Sequence, residues 1–289
     1  MAIPESWLGP TYMVGAMTAY TVNDAFMKTL SGDIPIFQAI LIRGVLSCLA
    51  LAVLVRLYGG MKYPTLRRDR WLVIVRTFAE VVTAYLYLTA LFNMPLANVS
   101  AILQALPLAV TLASALFLGE KIGWRRMLAI AIGFCGVMLI VRPGLDGFNV
   151  YAIYVLLGVV FITIRDLAVR RMSNDVSSTT AGFTVAIGVT IFGAVGSVGT
   201  TWQPVGLGHM GALVGATLAL VAAYIWSVAS MRHGEVSAVA PFRYSSLLAA
   251  LLLGFFFFGE WPDTLTMIGA AIVTATGLFT LWREGRVKA

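Results

Sequence analysis

Four polar residues recur along one apolar stretch of the chain, between residues 71 and 92. They follow one another at intervals of four, three and four residues: Arg76, Glu80, Thr83 and Tyr87. If the stretch is a helix, this spacing places all four on one face. Ionisable side chains in an apolar helix need a partner or a water-filled cavity. Two interpretations stay open: the stripe contacts the polar groups of a substrate, or Arg76 and Glu80 neutralise each other.

A second polar stripe occupies the next apolar stretch, residues 97–118. Its members share one helix face: Ser100, Gln104, Pro107 and Thr111. A proline inside a helix removes one backbone donor and bends the helix, so Pro107 marks either a fixed kink or a hinge. We expect Gln104 and Tyr87 to line a cavity between the two stretches.

Arg243 and Tyr244 stand near the start of a later apolar stretch, residues 237–258. A guanidinium group binds a carboxylate through two parallel hydrogen bonds, which makes Arg243 a candidate substrate ligand. Its long side chain is equally suited to reaching the membrane surface. Tyr244 corresponds to Gln104 in the repeat described below, so both residues are candidates for the substrate pocket.

One charged pattern occurs twice, with Thr21, Asp24 and Lys28 matching Thr163, Asp166 and Arg170 at a shift of 142 residues. In each set the acid and the base are four residues apart, a spacing at which opposite charges pair on a helix. The sequence therefore predicts the ion pairs Asp24–Lys28 and Asp166–Arg170. Two roles stay open for them: gating a path at opposite membrane faces, or only neutralising buried charges.

The composition decides what surrounds these residues. Of the 289 residues, 60% are hydrophobic and 11% are charged, whereas soluble domains carry about 25% charged residues. The apolar stretches are continuous rather than alternating, which predicts transmembrane helices and not a barrel. We number ten of these stretches as spans one to ten: 9–30, 34–57, 71–92, 97–118, 124–141, 150–170, 177–198, 210–230, 237–258 and 265–282. The predicted fold is an all-α, polytopic membrane protein.

The basic residues between spans orient the chain, because lysine and arginine are retained on the cytoplasmic side. Loops on one side and the C-terminus hold Arg56, Lys62, Arg67, Arg68, Arg70, Lys121, Arg125, Arg126, Arg170, Arg171, Arg232, Arg283, Arg286 and Lys288. The opposite loops hold Lys28 and Arg142. This asymmetry predicts a multi-pass protein of the plasma (inner) membrane with both termini in the cytoplasm. The first basic residue is Lys28, so we expect no cleavable signal peptide.

The chain repeats itself in its second half. Gly119-Glu120, the turn after span four, returns as Gly259-Glu260 after span nine. The repeat predicts two five-helix domains, residues 1–143 and 144–289. Because each domain has an odd number of spans, the second enters the membrane from the opposite side. Inverted repeats of this kind are widespread in secondary transporters.

These features resemble the EamA domain of the drug/metabolite transporter superfamily. The resemblance rests on Pro107, on the Gly119-Glu120 turn, and on Gly133 with Gly136 in span five. The second copy departs from the pattern, with Leu247 in place of the proline. The resemblance implies a ten-helix protein that moves small metabolites, amino acids or drugs, often outward.

Several other functions lack the residues they need. The net charge of +7 comes from loop residues that orient a membrane protein, so we expect no nucleic-acid partner. We find no ATP-binding loop, no metal-ligand cluster and no catalytic set, and we expect no cofactor and no enzymatic activity.

The sequence favours a secondary transporter working by alternating access, with amino-acid export as the leading function. A multidrug or toxic-cation exporter is the alternative, and an intramembrane enzyme is the rival of another class. The expected partners are a small-molecule substrate and lipid, and monomer and homodimer both stay open.

Overall fold

The computed structural model describes residues 5–58, 66–120, 123–144, 148–173, 176, 178–233 and 239–288. In these ranges every regular element is helical. The α-helices are Glu5–Lys28, Ile36–Tyr58, Arg67–Asn93, Leu96–Leu103, Leu106–Leu118, Trp124–Val141, Tyr151–Arg171, Ser178–Gly196, Leu207–His233, Ser245–Phe258 and Thr264–Lys288. Lys62, Lys121 and the predicted start of span nine at residue 237 lie outside the described residues.

These helices supply the ten predicted spans. Over the described ranges, eight spans are long and apolar enough to cross a membrane, judged by length and composition. Span seven is a shorter apolar helix, and span one is the helix Glu5–Lys28. The all-α, polytopic membrane fold predicted from the composition is therefore confirmed.

Spans four and nine are each interrupted at equivalent places. Span four breaks at Gln104, where one helix ends, and resumes at Leu106 with Pro107 in its first turn. Span nine begins as a 3₁₀ turn, Ala240–Tyr244, and continues as an α-helix from Ser245. Pro107 is tolerated because the first turn of a helix leaves its backbone N–H groups without helical partners.

The most extensive helix contacts join the two halves of the chain. Span one packs on span eight, and span six packs on span three. Spans two and seven pack together, as do spans five and ten, and spans four and nine make a smaller contact. Exchanging the two halves converts each of these contacts into another member of the set. This is the packing of two five-helix repeats with inverted topology, as the repeated sequence predicts.

Glycines permit the close approach of spans five and ten. A Cβ atom on Gly136 would lie 3.0 Å from the carbonyl oxygen of Gly269, and one on Gly269 would lie 2.6 Å from the carbonyl oxygen of Gly136. Real Cβ atoms do not come so near to backbone, so only glycine fits here. The glycine-rich character of span five is therefore a packing requirement.

The two Gly-Glu turns have the same backbone structure. Gly119 (φ 72°, ψ 19°) and Gly259 (φ 63°, ψ 20°) each end a helix in the left-handed region, which glycine adopts without the steric cost that a Cβ brings. The backbone N–H of the following glutamate donates to the helix, from Glu120 to the Ser114 carbonyl and from Glu260 to the Gly254 carbonyl. We call the side of the protein that holds Glu120, the start of the first helix at Glu5 and the end of the last helix at Lys288 the terminal face. The side that holds Glu260 is the opposite face.

Candidate functional site

A charged cluster joins span three to span six inside the helical assembly. Arg165 lies at its centre, with Nη1 3.0 Å from Oε2 of Glu80 and Nη2 2.9 Å from Oδ1 of Asp166. All three side chains are about one quarter exposed. Glu80 comes from the first repeat and Arg165 from the second, so the cluster forms only where the repeats meet.

Arg76 forms no ion pair with Glu80 among the described residues, which removes one of the two interpretations left open by the sequence, namely direct pairing of the two side chains. The Nη1 atom of Arg76 donates to the carbonyl oxygen of Ala181 in span seven, at 2.6 Å. The Nε atom of Arg76 is buried with no hydrogen-bond partner in the described part of the chain. Glu80 remains an electrostatic neighbour of Arg76, so Arg76 adds a second guanidinium beside the cluster.

Asp24 is held by hydrogen bonds. The Tyr87 hydroxyl donates to Oδ2 of Asp24 at 2.6 Å, and the Asn23 amide donates to Oδ1 at 2.9 Å. Among the described residues Asp24 forms no ion pair, although Arg43 in span two is an electrostatic neighbour. The predicted pair Asp24–Lys28 is therefore wrong, and Tyr87 contacts the acid of span one.

Lys28 pairs with the second repeat. Its Nζ lies 2.9 Å from Oε1 of Glu260 and also donates to the carbonyl oxygen of Met94. The other carboxylate oxygen of Glu260 accepts the backbone N–H of Leu96 at 3.0 Å, where a negative charge is favoured at the start of a helix. This ion pair links the two repeats at the opposite face.

The terminal face carries the counterpart of this contact. Arg170 donates to Oε1 of Glu120 at 3.3 Å and to Oγ of Ser114 at 2.9 Å. Asp166 is bound by Arg165, so the predicted pair Asp166–Arg170 is also wrong. The physical reason is the inversion: the end of the first helix of one repeat meets the Gly-Glu turn of the other.

The interruptions in spans four and nine contact each other. The Gln104 side chain donates to Oγ of Ser246 at 2.9 Å. The Thr21 hydroxyl of span one, which donates to the Met17 carbonyl oxygen at 2.9 Å, lies 3.5 Å from the Ser246 carbonyl oxygen. Tyr244 is buried and packs against Gly277, where an added Cβ would lie 1.6 Å from its hydroxyl. That hydroxyl therefore packs against span ten. Arg243 is exposed and is an electrostatic neighbour of Tyr20 and Tyr244.

Two cavities lie away from the charged cluster. A groove of about 340 Å³ between spans four, nine and ten is lined mainly by alanine and leucine, including Ala101 and Leu251. A second cavity of about 810 Å³ at the opposite face is lined by Asp33, Gln203 and His209 among others. Within the described residues, no group of three or more histidine, cysteine, aspartate or glutamate side chains is arranged to hold a metal ion.

Sequence reasoning missed Arg165 as the partner of Glu80, and it missed the two turn glutamates as partners of Lys28 and Arg170. A signal for the turn glutamates was present. Glu120 and Glu260 are repeat equivalents, and so are Lys28 and Arg170. In an inverted repeat these equivalences permit two cross-repeat pairs, one at each face.

The fold and the charged cluster are those of one class of protein, the multi-pass membrane transporters built from two inverted repeats. The sequence pattern of the EamA-like transporter family matches residues 7–142 and again residues 149–282, and the chain belongs to that family. The resemblance found from Pro107 and the Gly-Glu turn is thereby confirmed.

Characterised relatives of the chain are transporters of small metabolites. The S-adenosylmethionine uptake transporter of Rickettsia bellii (strain RML369-C) is 24% identical over 282 residues, 95% of each chain. The riboflavin transporter of Vibrio cholerae serotype O1 is 29% identical over 218 residues, 74% of this chain and 73% of that one. The pseudopaline exporter CntI of Pseudomonas aeruginosa (strain UCBPP-PA14) is 25% identical over 270 residues, 92% and 93% of the two chains.

A solved crystal structure shows the same fold. It superposes with a TM-score of 0.63 and 18% sequence identity, over 98% of this chain and 100% of that chain. At this identity the likeness concerns the fold alone.

Proposed function

We propose that this protein is a secondary transporter of a small zwitterionic metabolite, with an amino acid as the leading substrate. One observation carries the proposal: Arg165, Glu80 and Asp166 form a charged cluster where the two repeats meet. Charges inside a membrane protein are costly, and they mark substrate or ion pathways. Transporters of inverted-repeat architecture bind their substrates at the repeat interface near the middle of the membrane.

The chemistry of the cluster suits a molecule that carries both charges. A guanidinium group binds a carboxylate through two hydrogen bonds, and the buried Nε of Arg76 has no partner among the described residues. Glu80 and Asp24 supply negative charge for an ammonium group. The proposed substrate-binding residues are Arg76, Glu80, Tyr87, Gln104, Arg243 and Tyr244.

We place the moving parts at the repeat boundaries. Residues 1–143 and 144–289 act as two units that rock against each other, as alternating access requires. Lys28 and Arg170 act as gates through their cross-repeat glutamates, and Asp24 and Asp166 lie one helical turn deeper. Pro107, in the first turn after the break in span four, is the proposed hinge.

The proposal also includes the direction of transport and the location of the protein. The concentration of lysine and arginine on the terminal face supports a cytoplasmic position for both termini in the plasma membrane. We propose export, because the family resemblance implies a transporter that often moves its substrate outward. The relatives include proteins named for uptake and for export, and transport measured in both directions across the liposome membrane tests the proposed direction. Their names all describe transport, and we propose no enzymatic activity.

A toxic-cation exporter is the second candidate, and Asp24 is the observation that favours it. Cation exporters of small size rely on a membrane carboxylate without a basic partner, and Asp24 forms no ion pair among the described residues. The presence of Arg43, Arg76 and Arg165 around the same cluster weighs against a purely cationic substrate.

Transport by purified protein in liposomes separates these candidates. We expect efflux of at least one labelled amino acid from a panel, and no comparable movement of cationic drugs. Glu80→Gln should reduce this transport by at least tenfold, because Arg165 loses its partner from the first repeat. Asp33→Asn, a change of the same size in an exposed loop, is the control and should transport normally. Movement of cationic drugs alone, or full activity of Glu80→Gln at equal protein levels, contradicts the proposal.

A further inference from the structure

The polar interior of the protein holds more basic than acidic side chains. Four arginines and three carboxylates inside the spans are linked to one another by ion pairs or as electrostatic neighbours, partly through Tyr20. We call these seven residues the central group: Arg43, Arg76, Arg165, Arg243, Asp24, Glu80 and Asp166. With every acid ionised, the central group has a net charge of +1. A charge inside a membrane protein is costly unless an opposite charge compensates it.

The surplus positive charge belongs to Arg243. The charged cluster at span six, together with Arg76 beside it, contains two positive and two negative charges. Arg43 has Asp24 as an electrostatic neighbour, and these two charges balance each other. Arg243 forms no ion pair within the described part of the chain. It is therefore the cation of the central group for which the described residues supply no acid.

Two observations place Arg243 at the polar interior rather than at the membrane surface. It is an electrostatic neighbour of Tyr20 in span one, which also neighbours the charged cluster. It belongs to the 3₁₀ turn that interrupts span nine, next to the buried Tyr244. The equivalent position in the first repeat holds Leu103. The positive charge is thus a property of this one position and not of the repeated fold.

Two tyrosines lie between Arg243 and the guanidinium group of Arg76. Tyr224 of span eight is an electrostatic neighbour of Arg76 and of Tyr20, and Tyr20 is a neighbour of Arg243. The hydroxyls of the two tyrosines form no hydrogen bond with another described residue. Phenol hydroxyls can donate to carboxylates, and guanidinium groups bind them through two hydrogen bonds. This row of donors, with a guanidinium at each end and two hydroxyls between, suits a molecule with two carboxylates.

We propose that the transported molecule is an acidic amino acid, and that Arg243 binds its side-chain carboxylate. The proposal rests on the transport function proposed above and narrows the class of substrate. The α-carboxylate binds Arg76, the ammonium group faces Glu80, and the hydroxyls of Tyr20 and Tyr224 donate to the second carboxylate. An amino acid with two ionised carboxylates and one ammonium group carries one net negative charge at neutral pH, which balances the charge of the central group.

The first test compares each acidic amino acid with its amide, which has nearly the same shape and no net charge. Efflux of aspartate, asparagine, glutamate and glutamine is measured from liposomes containing the purified protein, with the membrane potential held at zero by potassium and valinomycin. We expect kcat/KM for the acids to exceed that for the amides at least tenfold, because an amide leaves Arg243 without a carboxylate.

The outcomes of this comparison separate the two proposals. Equal transport of acids and amides, or a preference for the amides, overturns the assignment of an acidic substrate and leaves amino-acid transport standing. If no amino acid of a wider panel moves, the transport function proposed above fails, and the acidic substrate fails with it.

The second test assigns the selectivity to Arg243. Arg243→Gln should raise KM for glutamate at least tenfold and change KM for glutamine less than twofold. Arg243→Lys keeps the charge but not the two-pronged hydrogen bonding, and should retain part of the preference. Arg56→Gln, the same change at an exposed position near the end of span two, is the control and should keep the selectivity of the wild type. If Arg243→Gln lowers transport of acid and amide equally, Arg243 does not recognise the second carboxylate and the proposal is wrong.

A binding measurement guards the second test against loss of activity for other reasons. Saturating glutamate should raise the melting temperature of the protein in detergent more than glutamine does, since a ligand that binds only the folded state stabilises it. Arg243→Leu introduces the residue of the equivalent position in the first repeat, and it should remove this difference between the two ligands. A wild-type response of Arg243→Leu to glutamate would overturn the proposal.

Discussion

Two ion pairs at equivalent positions of the repeats lie at the two faces of the protein, but their surroundings differ. At the opposite face, the side chains of Lys28 and Glu260 are 9% and 23% exposed and their charged atoms lie 2.9 Å apart. At the terminal face, Arg170 and Glu120 are 47% and 53% exposed and 3.3 Å apart. Glu260 also accepts a backbone N–H from Leu96, which belongs to the first repeat. The ion pair at the opposite face is therefore the more buried of the two.

This difference shows what inverted repeats make possible. Equivalent residues can form equivalent contacts only if both faces are closed to the same degree, and a transporter that alternates has one closed face at a time. Exposed ion pairs contribute about 0–1 kcal/mol, while removing one partner of a buried pair leaves a charge without compensation. Under the proposed alternating access the sequence symmetry supports two states, and we infer from the burial of Lys28 and Glu260 that the opposite face is the closed one here.

The largest effect is expected from neutralising Glu260, the glutamate of the more buried ion pair. Glu260→Gln leaves the nearly buried ammonium of Lys28 without its partner, and the cost should be on the order of 2–3 kcal/mol, somewhat below that of a fully buried pair. Glu120→Gln should cost no more than about 1 kcal/mol, because its pair is half exposed. Thermal unfolding in detergent measures both. The reversed pair, Lys28→Glu with Glu260→Lys, is the control and should recover part of the loss. Equal losses in the two single variants would contradict the comparison.

Chemical labelling should show the same difference between the two faces, measured as the access of a reagent to the interior of the protein. A cysteine at Thr83, in a protein whose Cys48 and Cys135 are replaced by alanine, is treated with a membrane-impermeant maleimide from each side. We expect Glu260→Gln to increase the labelling rate from the opposite face several-fold, because the closed gate loses its ion pair. Glu120→Gln should change labelling from the terminal face by less than twofold. A larger change in Glu120→Gln would assign the closed gate to the terminal face.

The turns that carry the two glutamates should respond alike. Gly119 and Gly259 have the same left-handed conformation and no heavy atom near the position of an added Cβ. Gly119→Ala and Gly259→Ala should therefore each destabilise the protein by about 1–2 kcal/mol, the cost of that backbone conformation for a residue with a Cβ. Unfolding in detergent, measured side by side, checks this. A difference beyond about 1 kcal/mol would mean that the two turns are not structural equivalents.

The smallest effect concerns an ion pair found beside the opposite face. Slight burial raises the pKa of Asp263, but hydrogen bonds from the Thr266 N–H and from Arg142 outweigh it, so the pKa lies below its ordinary value. A lowered pKa stabilises the folded protein above the unfolded pKa, and this contribution disappears as the pH falls through the folded pKa. Asp263→Asn should thus weaken the loss of stability on acidification. The effect should be small because the side chain is 54% exposed. Melting temperatures from neutral to strongly acidic pH measure it, and an unchanged acid dependence would contradict the assignment.

The fold was largely predictable because its signals are local. Hydrophobic stretches reveal the spans by length, since each must satisfy its own backbone hydrogen bonds in lipid. The Gly-Glu turns reveal the repeat because Gly119 and Gly259 need the same unusual backbone conformation. The spacing of Arg76, Glu80 and Tyr87 identified the polar face of span three. In the structure this face makes contacts with other spans: Glu80 binds Arg165 of span six, and Tyr87 binds Asp24 of span one.

The partners of Lys28, Arg170 and Glu80 were decided by the tertiary structure. Helical periodicity identifies neighbours on the same helix. It therefore indicated Lys28 as a partner for Asp24, Arg170 for Asp166 and Arg76 for Glu80. Packing of span three on span six, and of each first helix on the opposite repeat, gave Lys28, Arg170 and Glu80 partners that are distant in the sequence. Asp166 pairs instead with Arg165, the residue before it. The sequence by itself determined which residues are charged, on which helix and at what depth. The distances that choose among possible partners arise only when two inverted repeats fold against each other.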